Sequence, residues 1–355
     1  MKHIILLLFI SLTTFAQNKT ENVFIITTDG FRWQEMFGGA DSALLNKKEF
    51  VRNKERLQRT FWSDTLEERR KKLMPFLWNV VAKEGQLYGN RWKGNKVNVK
   101  NPYGVSYPGY NEILTGYADE KINSNSKIPN ENITVLEFLN QQKALKGKVA
   151  AYATWDTFPF IINEERSGIT VNSGKELVEG KLSEKEEMLN EIQSNYISLA
   201  SDRHDFITYY LAKEYIKKKA PKAFFLSFDE TDEFAHEAKY DEYLFAGNTV
   251  DKFISDLWSY CQSTPEYKDK TTFIITTDHG RGDKNKAQWT GHGRKVPDCY
   301  EMWFAVIGPD TPALGEIKTE GQLFQNQLAK TAAKFLGYDF QNGKEIGKAI
   351  GTVMK

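Results

Sequence analysis

Val23-Phe24-Ile25-Ile26-Thr27-Thr28-Asp29 is the stretch on which the reading of this 355-residue chain turns. Its apolar and β-branched residues run without polar alternation and stop at a carboxylate. A short run of this kind, rich in Val, Ile, Thr and Phe, reads as a strand buried on both faces. Runs of the same character recur at 147–153, 222–228, 271–277 and 302–307. Helical patterns lie between and beyond them, over roughly 66–84, 109–117, 133–143, 183–199, 205–219, 240–261 and 321–336. Strands that alternate with helices predict an α/β fold with a mostly parallel central sheet and helices on both faces.

The bulk properties narrow the function classes. Residues 1–16 have a basic start, an apolar stretch from Ile4 to Ile10 and an A-x-A-like end with Thr14 and Ala16, the pattern of a secretory signal peptide cleaved before Gln17. That stretch is too short for a permanent span and no other segment approaches the length required, so no stable membrane insertion and a periplasmic or secreted location are expected. The chain carries 48 basic and 47 acidic residues, and loss of Lys2 with the leader balances them. Near-neutrality argues against a nucleic-acid duplex as partner. With 40% hydrophobic residues, no low-complexity linker and no internal repeat, residues 17–355 are expected to form a single domain. Cys261 and Cys299 leave two readings open, one disulfide or two buried thiols. The oligomeric state is not legible.

The chemistry lies in how few histidines there are and where they stand. Of five, four follow the leader. His236 lies in Asp232-Glu-Phe-Ala-His236, His279 follows Asp278 in Thr276-Thr277-Asp278-His279-Gly280, and His292 lies in Gly291-His292-Gly293. The fourth, His204, starts a helix and is given no role. Asp29, Asp232 and Asp278 each fall at or just after the carboxyl end of a predicted strand, the edge where open α/β sheets gather their ligands. Any one of them alone fits a helix cap, but three beside histidines do not. Imidazole with carboxylate suits a borderline divalent metal such as zinc. Asp232 and His236, four apart, share one helical face and with His292 make a three-ligand set; Asp29, Asp278 and His279 make a second. Two such ions can stabilise both the attacking and the leaving oxygen of a displacement. Ser106, in Gly104-Val105-Ser106-Tyr107-Pro108-Gly109, stands where a helix begins and fits a metal-activated nucleophile, although taken alone it also fits an ordinary cap.

These motifs, in this order, resemble the alkaline phosphatase superfamily, in particular its nucleotide pyrophosphatase/phosphodiesterase branch and related bacterial phosphatases. The likeness runs from Thr28-Asp29-Gly30 through Ser106-Tyr107-Pro108 and Thr115-Gly116, Asp232 and His236, and Asp278-His279-Gly280 to His292-Gly293, and covers most of 22–308. It implies an alkaline-phosphatase-like fold and two divalent ions, zinc or manganese. Their ligands would be Asp29, Ser106, Asp232, His236, Asp278, His279 and His292. It further implies Asn125 as a phosphoryl-oxygen ligand and Arg166 as the extra cation that a monoester requires. The chain departs from the pattern in using serine where the diesterases have threonine, and in placing His292 only 13 residues after His279. It also carries a charged, Trp-containing insertion at about 38–75, expected to shape or cover the pocket, with Trp33 and Phe37 as candidate lining.

The expectation is therefore an exported two-metal phosphoester hydrolase that works through a phosphoseryl intermediate on a small phosphorylated substrate. Serine and Arg166 tilt it towards monoesters, with phosphodiesterase or nucleotide pyrophosphatase as the alternative. A formylglycine sulfatase shares Ser106-Tyr107-Pro108-Gly109 but requires arginine where Tyr110 stands, and calcium rather than histidine-bound zinc. A phosphoglycerate-mutase-like enzyme and a binding protein on a decayed hydrolase scaffold are the remaining rivals.

Overall fold

Phe24 and Ile26 enter one hydrophobic core and Val23 and Ile25 enter another, so the opening strand is buried on both faces, as its unalternating sequence requires. The computed structural model describes residues 18–195 and 203–355; the leader expected over 1–16 lies outside them. The strands are β1 (Asn22–Thr28), β2 (Gln86–Tyr88), β3 (Asn95–Asn98), β4 (Val149–Ala153), β5 (Thr170–Ser173), β6 (Ala223–Phe228), β7 (Thr271–Thr276), β8 (Glu301–Met302), β9 (Phe304–Ile307), β10 (Gly315–Glu316) and β11 (Gly321–Phe324). Eight of them form one sheet in the order β10-β2-β9-β7-β1-β6-β4-β5, and β11-β3-β8 form a small second sheet. From β7 through β5 every pairing is parallel, while β9 runs antiparallel to both neighbours. Helices cover both faces, which makes this the expected mostly parallel α/β architecture.

β6 repeats the logic of β1, with Phe224, Leu226 and Phe228 in one core and Ala223 and Phe225 in the other. Phe24 stacks on Phe273 at 5.4 Å between centroids, so these central strands are tied by rings as well as by the ladder. Truncating Phe24 to Ala would cost about 3–5 kcal/mol. No helix among the described residues is long and apolar enough to cross a membrane.

Several elements differ from the sequence expectation for local reasons. The helix expected over 66–84 breaks after Leu73, because Pro75 cannot continue a helix but suits the first turn of a new one. The carboxylate of Asp251 accepts from Phe76 N at 2.7 Å and Leu77 N at 3.0 Å and so caps that restart. The helix expected over 321–336 begins as β11 and turns helical only at Leu328–Phe335. The run 302–307 divides at Trp303 between the two sheets. β2, β3, β5, β10 and β11 are two to four residues long and too polar to stand out by pattern. Cys261 and Cys299 are both free and buried, Cys261 in the core that holds Phe24 and Cys299 with its thiol against Gly293 O at 3.5 Å, so no disulfide joins them.

Residues 38–75 fold into the short helices Ser42–Leu45, Lys54–Phe61 and Leu66–Leu73. They pack on helix Tyr240–Ser263: Tyr240 N donates to Phe50 O at 2.8 Å, Arg52 N donates to Asp241 at 3.1 Å, and Phe61 meets Phe245. This segment extends the core and contributes none of the side chains that line the pocket at Ser106.

Candidate metal centre

β1, β6 and β7 lie side by side and in parallel, so their carboxyl ends open onto the same edge. Asp29 follows β1, Asp278 lies two residues after β7, and Asp232 and His236 stand on helix Glu230–His236, which begins two residues after β6. Their side chains converge with His279 and His292. Asp29 Oδ1 and Asp278 Oδ2 each lie 3.4 Å from His279 Nε2. His236 Nε2 is 2.9 Å from His292 Nε2 and 3.1 Å from Asp232 Oδ2, and His292 Nε2 is 3.7 Å from Asp232 Oδ1. The His279 and His292 rings stack at 3.9 Å, which brings the two groups of ligands against each other.

Two glycines permit this closeness. Gly30 has φ +58°, and a Cβ there would stand 2.8 Å from Asp232 Oδ1 and 3.1 Å from His279 Cε1. Gly109 lets helix Ser106–Thr115 lie against the Asp278 backbone, where a Cβ would come within 2.5 Å of the carbonyl oxygen.

The donor set fits divalent cations on two counts. Asp29 Oδ2 accepts from Tyr110 Oη at 2.9 Å and Asp278 Oδ1 accepts from Gly30 N at 3.0 Å, yet Asp29 Oδ1 and Asp278 Oδ2 are buried without any hydrogen-bond partner. Buried carboxylate oxygens are rarely left so, because the desolvation cost goes uncompensated. Burial, reinforced by the neighbouring carboxylates, pushes Asp278 up to about 7 and Asp29 well above the usual carboxylate range. The imidazoles supply the second count. His279 Nδ1 is 3.0 Å from Gly280 O and His292 Nδ1 is 2.8 Å from Gly104 O. A carbonyl only accepts, so each Nδ1 carries the proton and each Nε2 lone pair faces the centre, the tautomer of a metal-ligating histidine. Burial holds His292 down at about 4 and His279 well below its ordinary value, so both are neutral near pH 7.

Ser106 is the first residue of helix Ser106–Thr115, and its Oγ lies 3.3 Å from His279 Nε2, at the edge of the Asp29–Asp278 group. Few backbone donors remain at this helix start, since Pro108 has no N–H and Tyr107 N donates to Asn125 Oδ1 at 2.9 Å. Asn125 and Ser106 line one pocket of about 250 Å³ with Trp155, Asp229, Asp232, Glu233, His236 and Glu237.

The structure does not bring Arg166 to this pocket. Its guanidinium donates to Glu137, at 2.7 Å to Oε2, and to the carbonyls of Asn130, Glu131 and Asn132. It braces the 130–132 turn behind Tyr107, and all its nitrogens are engaged there. The reading of Arg166 as a phosphate-binding cation is corrected accordingly. Trp33 and Phe37 do not line the pocket either; both are buried in the core, with Trp33 Nε1 donating to Glu301 at 2.7 Å. His204 pairs with Glu230 at 2.6 Å outside the ligand groups.

Two features were not foreseen from sequence. Trp155 stands two residues past β4, a strand-end position that could have marked it. Arg281 is fully buried and its Nη2 donates to the Asp232 carboxylate; the signal was an arginine directly after Asp278-His279-Gly280.

The model of the Metalloenzyme superfamily matches residues 87–320. No curated protein matches the sequence. Similar solved structures include the lipoteichoic acid synthase LtaP from Listeria monocytogenes, at 11% identity and TM-score 0.60 over 95% of this chain and 76% of that one. The alkaline phosphatase PafA is similar at 10% identity and TM-score 0.60, over 96% of this chain and 99% of its own. The phosphonate monoester hydrolase SpPMH from Silicibacter pomeroyi is similar at 12% identity and TM-score 0.57, over 94% and 76%.

Proposed function

We propose, from the premise that the chain belongs to the Metalloenzyme (alkaline-phosphatase-like) superfamily, that it hydrolyses phosphate esters with Ser106 as nucleophile, at a centre that holds two divalent cations. Asp232, His236 and His292 would hold one ion, and Asp29, Asp278 and His279 the other with Ser106 Oγ beside it. Bound there, the ions would lower the pKa of the serine hydroxyl and neutralise charge that develops on the attacking and leaving oxygens. The observation that carries the reading is the unpartnered pair Asp29 Oδ1 and Asp278 Oδ2, both facing His279 Nε2, with Ser106 Oγ on the same nitrogen.

The chain's own residues divide the remaining work. Ser106 gives up its hydroxyl proton and its Oγ attacks phosphorus. The P–O bond to the leaving group breaks and that oxygen takes up a proton to depart as an alcohol, and water then cleaves the phosphoryl group from Ser106. Asn125, fixed by Tyr107 N, turns its side-chain amide to the pocket that receives the phosphoryl group. Trp155 gives the substrate's organic portion an apolar wall. Zinc suits the histidine-rich donor set, with manganese as the alternative.

A diester is the better substrate class than the monoester that the sequence favoured. No lysine or arginine is among the described residues lining the pocket, whereas Asp229, Glu233 and Glu237 are. A dianionic monoester would meet only the two cations against those carboxylates; a diester brings one negative charge fewer. Export to the periplasm or medium is part of the same reading and rests on residues 1–16.

Ser106→Ala tests the mechanism. It should lower turnover of a chromogenic diester by orders of magnitude while elemental analysis still finds close to two metals per chain, and the phosphorylated Ser106 peptide trapped from wild type should be missing. Substantial turnover in the variant would remove the covalent route. A wild-type chain that cleaves only sulfate esters would remove the phosphoester reading.

A further inference from the structure

We propose that Arg281 makes the two cation positions unequal: its charge weakens the position of Asp232, His236 and His292, so that this ion exchanges readily while the one at Asp29, Asp278 and His279 is held. The inference rests on the two-cation reading above and concerns how that centre is loaded.

The Arg281 side chain is fully buried, and its guanidinium is held in place. Nη2 donates to the carboxylate and to the carbonyl of Asp232, at 3.1 Å for the latter, and Nη1 donates to Thr290 O at 2.8 Å. Gly30 closes the third side, where a Cβ would stand 2.9 Å from Arg281 Nε, a nitrogen with no partner of its own. A guanidinium is a permanent cation, and these contacts fix it beside Asp232.

The contact is also one-sided. Arg281 takes Asp232 Oδ1, the oxygen that also lies 3.7 Å from His292 Nε2, while Oδ2 lies 3.1 Å from His236 Nε2. A pair serving stability alone would favour a two-oxygen fork. Here one oxygen is neutralised and the other is left for a ligand.

Charge counting then separates the positions. Asp232 with two imidazoles, which ligate a metal only in their uncharged form, carries one negative charge, which Arg281 cancels. Asp29 and Asp278, which ligate a cation as carboxylates, carry two with neutral His279, and no arginine or lysine donates to either carboxylate among the described residues. Counting the ligands and Arg281 alone, a dication therefore meets almost no net charge at one position and two negative charges at the other. At separations of a few Å, even a well-screened difference of this size spans about two orders of magnitude or more in affinity. The weaker ion belongs to the set that includes His236, whose side chain is 48% exposed, so exchange has a path to solvent. Turnover would then follow the free concentration of the metal.

The full chain is titrated with zinc in graded chelator buffers, and bound zinc is counted by elemental analysis and calorimetry. Wild type should bind two ions in steps separated by at least about 100-fold. Arg281→Gln, which keeps a donor and loses the charge, should tighten the weak step by at least about tenfold and leave the tight step within about threefold. Arg281→Lys keeps the charge and should titrate like wild type. Melting of the metal-free variants checks the fold, and Arg281→Met replaces the glutamine variant if that one unfolds. Equal affinities in wild type, or an unchanged or weakened second step once the charge is gone, would overturn the proposal. A wild-type chain that accepts no second ion at any zinc concentration would sink the two-cation reading itself.

Discussion

Two sets of carboxylates are buried in this protein, and they differ in what their oxygens touch. Glu112 accepts from Lys100 N, Asn101 N and Asn101 Nδ2 at 2.8–3.0 Å, and Asp251 accepts from Phe76 N and Leu77 N. Asp205 belongs with them, since it accepts from Thr154 Oγ1 and from the backbone of Asp229 and Glu230. Asp29 and Asp278 are as deeply buried, yet each keeps an oxygen with no donor, aimed at an imidazole nitrogen. The desolvation cost is of the same kind in both sets, and only its compensation differs. A carboxylate wired to backbone N–H groups holds loops together. One whose free oxygen meets its neighbours' free oxygen and lone pair lacks such compensation, and a bound cation would supply it.

The contrast is broken or sharpened most strongly at Asp278. Asp278→Asn should abolish tight zinc binding and lower turnover by more than the roughly 10²–10³-fold that follows loss of a single oxyanion donor. The metal-free variant should melt no lower than the metal-free wild type, because a buried like-charge pair is relieved. A lower melting temperature with zinc binding intact would move Asp278 into the structural set.

Glu112→Gln should do the converse. One acceptor oxygen becomes a donor facing donors, at a cost of about 1–3 kcal/mol or more in stability, measured by denaturant unfolding, with zinc content and turnover per folded molecule unchanged. Loss of zinc without loss of stability would contradict the division.

Asp251 offers a pH test. Burial pushes its carboxyl up to about 7 against the pull of the two N–H groups it accepts from. Its folded pKa lies above its unfolded value near 4, so the folded state binds more protons across that interval. The stability it contributes is full at the acid end and is lost as pH rises from about 4 to about 7, at up to about 1.4 kcal/mol per unit. Thermal melts of the metal-free chain should show that decline, and Asp251→Asn should flatten it. An unaltered slope in the variant would mean that other groups, such as Asp205, carry it.

The smallest effect is expected at Arg166, where a buried carboxylate, Glu137, already has its cation. Arg166→Ala should change the ratio of monoester to diester turnover by less than about twofold, because every contact of the guanidinium lies outside the pocket. A selective loss of monoester turnover would return Arg166 to the site.

What the sequence determined by itself was the sheet's long central strands and the residues at their carboxyl ends. Unalternating runs such as 22–28 and 222–228 must be buried on both faces, and parallel strands necessarily open their ends on one edge, so Asp29, Asp232 and Asp278 were bound to meet there. The four-residue spacing of Asp232 and His236 was legible because helical geometry is local. Tertiary structure alone decided the rest. The two- to four-residue strands exist because neighbours offer them hydrogen bonds, and Pro75 reads as a helix start only because Asp251 caps it from another helix. Arg166 and Arg281 carry the same charge, yet one braces a turn on Glu137 and the other faces Asp232 inside the centre. A guanidinium's role depends on which carboxylate the fold brings within reach of its long side chain, and that contact lies 29 residues away for one and 49 for the other.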